Sequence, residues 1–130
     1  MRLKKKDGEI MLNYYRKEQR KIAMGLLSFH QKLTEYQALL KGIDMYETEN
    51  DLHLLFWTPA GEQNIQGIVG IEVETSEAMI LHDISINPSF RGEKIGFELL
   101  DEIVELYPDT KIYGTLATSA YLSKWKEHNA

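Results

Sequence analysis

Three apolar runs between residues 51 and 86, each parted from the next by a short polar turn, constrain this chain more than any other feature. The first, DLHLLFWT at 51–58, is apolar on both faces, the pattern of a strand inside a sheet. Thr58-Pro59-Ala60-Gly61 supplies turn chemistry after it, because proline presets φ and glycine accepts conformations closed to other residues. The second run, Gln66 to Glu74, alternates Ile71 and Val73 with Glu72 and Glu74, so one of its faces is expected to be wet. Thr75-Ser76-Glu77 turns the chain into the third run, Met79 to Ile86, which Asn87-Pro88 ends. Connections this short predict an antiparallel meander.

The flanking segments complete the order. Met11-Leu12-Asn13-Tyr14-Tyr15 predicts a short first strand. Apolar residues at 22, 23, 26, 27 and 29 predict a helix from Lys17 to Phe29, and Leu33, Tyr36, Leu40 and Ile43, with Leu39 on the flank, predict a second. After the meander, Ile95, Leu99, Ile103 and Leu106 recur at helical spacing with Val104 beside them, and Pro108 stops that helix. Lys111 to Leu116 predicts a strand, and Ala117 to Glu127 a last helix with Tyr121, Leu122 and Trp125 as its apolar side. The order is β-α-α-β-β-β-α-β-α. The strand–helix–strand unit from 79 to 116 should cross over right-handed, making the fourth and fifth predicted strands parallel in an otherwise mostly antiparallel sheet. The expected class is mixed α/β (α+β), one domain over residues 1–130, with 1–9 a flexible extension.

Charge and composition narrow the function. A net charge of −5 disfavours wrapping a nucleic acid backbone, which calls for a basic face. No apolar run approaches the roughly 20 residues that span a bilayer, so no membrane partner is expected. The basic start MRLKKKDGE leads into no apolar signal region, and a cytoplasmic location is expected. The absence of cysteine excludes disulfides, zinc–thiolate sites and a covalent cysteine intermediate, and no metal site is expected.

The stretch NPSFRGEKIGFELLDEIV, residues 87–104, passes from a proline turn into a helix through two glycines. The first turn of a helix presents backbone N–H groups with no partner inside the helix, and these attract phosphate. Glycine permits close approach of an anion, and Arg91 and Lys94 could add charge-assisted contacts. The stretch is neither a P-loop nor a Gly-x-Gly-x-x-Gly dinucleotide turn. Taken alone it fits a phosphate cradle and an ordinary strand-to-helix connection equally well.

A meander followed by ISINPSFRGEKIGFELL, a strand and a short helix resembles the GNAT family of acyl-CoA-dependent N-acetyltransferases over about residues 10 to 128. The family motif reads Arg or Gln, two residues, Gly, one residue, Gly or Ala, after the fourth strand. Arg91, Ile95 and Gly96 match it, while Lys94 stands where the first motif glycine is expected. A narrower resemblance, carried by YRKEQRKIAMGLLSF at 15–29 with ISINPSFRG, is to GNAT proteins associated with bacterial riboflavin-biosynthesis operons.

The resemblance implies the GNAT fold, acetyl-CoA as cosubstrate and a small-molecule or protein amine as acceptor. By position, the backbone of Arg91, Gly92, Glu93, Lys94, Ile95, Gly96 and Phe97 would hold the pyrophosphate. Ile84, Ser85 and Ile86 would line the pantetheine arm, with the N–H of Ile84 or Ile86 on the thioester carbonyl. His82 is the first candidate for the general base, set against a strand histidine satisfied by a neighbour. In a regular strand Asp83 faces the other way and is the weaker alternative. Glu72 and Glu74 would attract a cationic acceptor or simply form a solvated face. The acid that protonates the leaving thiolate is usually a tyrosine on the last helix. By register that position falls on Leu122, which leaves Tyr121, water and, more weakly, Ser123 as candidates. The family commonly continues with two more strands, which this sequence does not supply after its last helix. The fold is therefore expected to be truncated at the C-terminus, with a second subunit on the open edge (a homodimer) or an unusually open acceptor site. The competing function is a GNAT domain that binds acyl-CoA as a sensor or scaffold without turnover.

Overall fold

The computed structural model describes residues 2–4, 11–30, 36–59, 61–90 and 93–129. Among the described residues six strands form one sheet in chain order: β1 (Arg2–Lys4), β2 (Met11–Tyr14), β3 (Leu52–Thr58), β4 (Gly67–Thr75), β5 (Ala78–Ile86) and β6 (Lys111–Gly114). The first five pair antiparallel, and β5 and β6 are parallel, as the crossover predicts. The helices are α1 (Arg20–His30), α2 (Tyr36–Thr48), α3 (Glu93–Leu106) and α4 (Ser119–His128).

Several element ends differ from the sequence expectation: α1 begins at Arg20 after a 3-10 turn over Lys17–Gln19, β6 stops at Gly114 rather than Leu116, and α4 begins at Ser119 rather than Ala117. Arg2–Lys4, expected in a flexible extension, instead pair with β2 as an added edge strand, whose ladder satisfies the backbone without an apolar pattern. Helix α2 runs past Ile43 and Gly42 to Thr48, because its apolar side continues through the half-buried Tyr46. Leu33, expected to begin that helix, lies outside the described residues.

The sheet has a core on each face. On one, Ala23, Leu26 and Leu27 of α1 and Ile43 of α2 bury Leu54, Phe56 and Ile68. On the other, Leu99, Leu100 and Ile103 of α3 and Leu122 and Trp125 of α4 bury Leu55, Trp57, Val69, Ile71, Met79 and Leu81. Strand β3 therefore carries apolar residues in both directions, as a central strand must. Burying each such side chain contributes about 1.5–3 kcal/mol. Polar contacts orient the helices: Arg20 of α1 bridges Asp44 and Glu47 of α2, and Glu47 Oε2 accepts from the Tyr15 hydroxyl at 2.6 Å. Trp125 Nε1–H donates to Asp101 at 2.9 Å, which seats α4 on α3. Among the described residues no helix is long and apolar enough to cross a membrane.

Candidate active site

Strands β5 and β6 run together only as far as the pair Leu81–Gly114. There the chain of β6 turns away through Thr115–Thr118 into α4, and the Thr118 hydroxyl donates to the Leu81 carbonyl at 2.7 Å. Thr118 is buried and also accepts the Thr115 N–H at 2.9 Å, so one side chain fixes the point of divergence. The remainder of β5, from His82 to Ile86, has an edge that β6 has left.

The backbone alternation shows what that edge offers. Asn87 N–H donates to the Gln66 carbonyl at 2.7 Å and Val73 N–H to the Asp51 carbonyl at 2.9 Å. With the observed register, this parity turns the backbone groups of Asp83 and Ser85 toward β4. Ile84 and Ile86 consequently aim their N–H and C=O groups at the open edge, while their side chains pack into the α3/α4 core. Ser85 sends its hydroxyl the other way, to the Leu26 carbonyl of α1.

A β-bulge interrupts β5 at this point. Asp83 pairs with Gly70 but Leu81 with Ile71, leaving His82 as the extra residue. The bulge overturns the expectation that His82 and Asp83 face opposite ways: both line one pocket on the α2 side of the sheet. His82 Nε2 lies 2.7 Å from Glu72 Oε1, and each side chain is 33% exposed. A carboxylate only accepts, so Nε2 carries the hydrogen and, in the neutral ring, Nδ1 keeps the lone pair. Asp83 Oδ2 accepts from the Tyr46 hydroxyl at 2.6 Å. Desolvation by burial, then the charge of Asp83, raise the Tyr46 phenol well above its usual range, so it stays a donor. Glu74 is exposed and outside this cluster.

On the opposite face the helix start closes the site. Asn87 accepts the Ser89 N–H on its side chain at 3.1 Å and the Phe90 N–H on its carbonyl at 2.8 Å, turning the chain from β5 toward α3. Arg91 and Gly92 lie outside the described residues, and α3 begins at Glu93. Lys94 is exposed, Ile95 packs against the core, and Gly96 and Phe97 are buried. Tyr121 of α4 lies against this turn, its ring 5.3 Å from that of Phe97. A Cβ on Gly96 would stand 2.9 Å from Tyr121 Cζ and closer to its hydroxyl, with Ile86 Cδ1 at 3.3 Å. Leu122 points into the core at 3% exposure, and Ser123 is exposed. Of the two adjacent positions weighed on α4, Tyr121 is the one beside β5 and the α3 turn.

Sequence reasoning did not single out Tyr46, Gly70 or Thr118. Tyr46 meets Asp83 across 37 positions of sequence, and only the pairing of Gly70 with Asp83 makes room for its ring. The Thr-x-x-Thr of residues 115–118 is a local capping signal that could have marked Thr118.

The sequence matches the family described as Acetyltransferase (GNAT) family over residues 11–122. It is 36% identical over 114 residues, 88% of this chain and 93% of the other, to a Bacillus methanolicus protein described as an uncharacterized N-acetyltransferase in the lysA 3′ region. A GNAT family acetyltransferase from Elizabethkingia anophelis with acetyl-CoA bound has a similar structure, with TM-score 0.63 at 17% identity, covering 95% of this chain and 76% of that one. AAC(6')-Iy, an aminoglycoside N-acetyltransferase, in complex with the bisubstrate analogue CoA-S-monomethyl-acetylneamine gives TM-score 0.65 at 15% identity, covering 93% and 88%.

Proposed function

The chain belongs to the GNAT family of acetyltransferases, and from that premise we propose that it passes the acetyl group of acetyl-CoA directly to an amine held on the α1/α2 side of β5. The observation that carries the reading is the disposition of side chains about the β5 edge. His82 with Glu72 stands on one face, and Tyr121 stands on the other.

Acetyl-CoA fits the α3/α4 side. The N–H groups of Glu93, Lys94 and Ile95, which open α3 and have no acceptor within the helix, suit its pyrophosphate. The outward N–H and C=O groups of Ile84 and Ile86 suit the amides of its pantetheine arm, and one of these N–H groups polarises the thioester carbonyl. By the family motif, Arg91 and Gly92 are further candidates to contact the pyrophosphate.

The amine must lose a proton to attack. At pH 7 that costs an alkyl amine about 4 kcal/mol, from roughly three pKa units. His82 takes this proton on Nδ1 while Glu72 holds Nε2–H, fixing the tautomer and supporting the imidazolium that forms. The new C–N bond replaces the C–S bond, the nitrogen sheds its second proton to solvent, and the Tyr121 hydroxyl gives its proton to the departing sulfur. Both groups then recover their starting protonation through solvent. A link to riboflavin synthesis rests on the likeness of residues 15–29 and of ISINPSFRG at 84–92, and is tested by offering that pathway's amines as acceptors.

Calorimetric titration tests the coenzyme side, with acetyl-CoA and CoA each expected to bind at micromolar concentration; absence of heat with both would overturn the proposal. Thiol release with an amine panel tests transfer. Binding without release from any amine would make the domain an acyl-CoA sensor instead.

A further inference from the structure

We infer that Ser85 is a positioning residue for the transfer step: its hydroxyl ties β5 to α1 and so holds the N–H groups of Ile84 and Ile86 where the thioester carbonyl meets them. The inference rests on the transferase reading above and adds a residue to the same site.

The pairing of β5 with β6 ends at Leu81, and the bulge at His82 interrupts its pairing with β4. A segment with one edge released and a disturbed ladder on the other leans on side-chain contacts for its position. Tyr46 of α2 donates to Asp83 at 2.6 Å, and the Asn87 side-chain amide donates to Gln66 at 3.0 Å just past the strand end. Between these two the Ser85 hydroxyl donates to the Leu26 carbonyl of α1. Ser85 alternates with Ile84 and Ile86, so a side chain turned to α1 fixes backbone groups turned to the open edge.

Packing does not call for this hydroxyl. Ser85 is 3% exposed and pairs with Ile68, on the face where Leu26, Leu27, Leu54 and Phe56 form an apolar core. A hydroxyl in such surroundings costs free energy unless it is bonded, and alanine would fill most of the same space without that cost. Nor does the Leu26 carbonyl require it, because that group lies four residues before the end of α1 and can accept within the helix ladder. What the bond adds is direction, since apolar contact is non-directional and a hydrogen bond sets distance and angle. Misplacement of a reacting group by about 1 Å is enough to cost about 10²-fold in rate.

Infrared spectroscopy of bound acetyl-CoA, isotopically labelled at the thioester carbonyl, reads the polarisation itself. In the wild-type protein the carbonyl stretch is expected below its solution frequency, because an N–H donor weakens the C=O bond. Ser85→Ala is expected to move the band back toward the solution value. It should lower kcat about tenfold, a part of the roughly 10²–10³-fold that loss of an oxyanion donor costs. The amides at the start of α3 are untouched, so KM for acetyl-CoA should stay within about twofold of wild type. The change leaves no group without a partner, so the urea midpoint should stay close to wild type. An unmoved band or an unchanged kcat in Ser85→Ala, with or without a lowered midpoint, makes Ser85 a packing residue. That result overturns the inference and leaves the transferase reading standing. A wild-type band at the solution frequency overturns the polarising role of the β5 edge, and the role of Ser85 with it. Acetyl-CoA that fails to bind the wild-type protein overturns the transferase reading itself.

Discussion

The hydroxyl of Tyr121 fills the space in which a side chain on residue 96 would begin, so a tyrosine in this place tolerates only glycine at position 96. The glycine reads from sequence as a means for an anion to approach the backbone. In the structure its open side is taken by the tyrosine, brought there across α3 and α4. Gly96→Ala should therefore act through Tyr121, pushing its ring away from β5. Tyr121→Phe keeps the contact with Phe97 and is expected to lower kcat by about 10²-fold with the unfolding midpoint nearly unchanged. Steady-state kinetics beside urea denaturation of both variants checks this. A Gly96→Ala enzyme with normal kcat would detach the glycine from the tyrosine.

Removing the proposed base, His82, gives a pH signature. His82→Ala should lower kcat/KM for an alkyl amine by about 10²–10⁴-fold at pH 7. Without a base, only amine already deprotonated reacts, so the remaining rate should climb about tenfold per pH unit toward the amine pKa of about 10.4. Glu72→Gln keeps an acceptor for Nε2–H but loses the charge that supports the imidazolium, and should fall between wild type and His82→Ala. A pH–rate profile from 6 to 10 for the three proteins separates these outcomes.

Tyr46 ties stability to alkaline pH. Its folded phenol titrates above the unfolded value of about 10, chiefly through desolvation and then through Asp83. A raised pKa contributes stability that is present below about pH 10 and lost above it, where the unfolded chain sheds the proton and the folded chain resists. Tyr15 and Tyr107 are shifted in the same direction, each mainly by burial. Urea denaturation is expected to show stability falling above pH 10, with a shallower fall in Tyr46→Phe. Gly70→Ala would place a Cβ 3.0 Å from Tyr46 Cε1 and nearer still to Cζ, at an expected cost of about 1–3 kcal/mol at neutral pH.

Thr118 is a test of how the strands part. Thr118→Val keeps the shape of the side chain and leaves the Leu81 carbonyl without its donor. The expected loss is about 1–3 kcal/mol of stability, accompanied by a higher KM for acetyl-CoA as the opening beside Ile84 loses its fixed edge.

The fold was legible because its strands announce themselves. DLHLLFWT could only be central, the short turns forced the meander, and the helix after Asn87-Pro88 required a crossover to Lys111. Strand β1 escaped notice because Arg-Leu-Lys has no periodicity and owes its place to backbone pairing with β2. Within the site, the alternation that placed His82 and Asp83 on opposite faces failed at a bulge, and a bulge is a property of the β4–β5 pair that β5 alone does not encode. The choice between Tyr121 and Leu122 turned on where α4 begins, since one residue on a helix is about 100° of rotation. Thr118 sets that start through Leu81, a contact between residues 37 apart.

A crystal structure with acetyl-CoA and an unreactive amine tests the two-sided site most directly. The thioester oxygen should lie about 3 Å from the N–H of Ile84 or Ile86, with the sulfur in similar reach of the Tyr121 hydroxyl. The amine nitrogen should face His82 Nδ1 from the α2 side. A thioester bound away from the β5 edge, or an amine entering from the α3/α4 face, would contradict the arrangement.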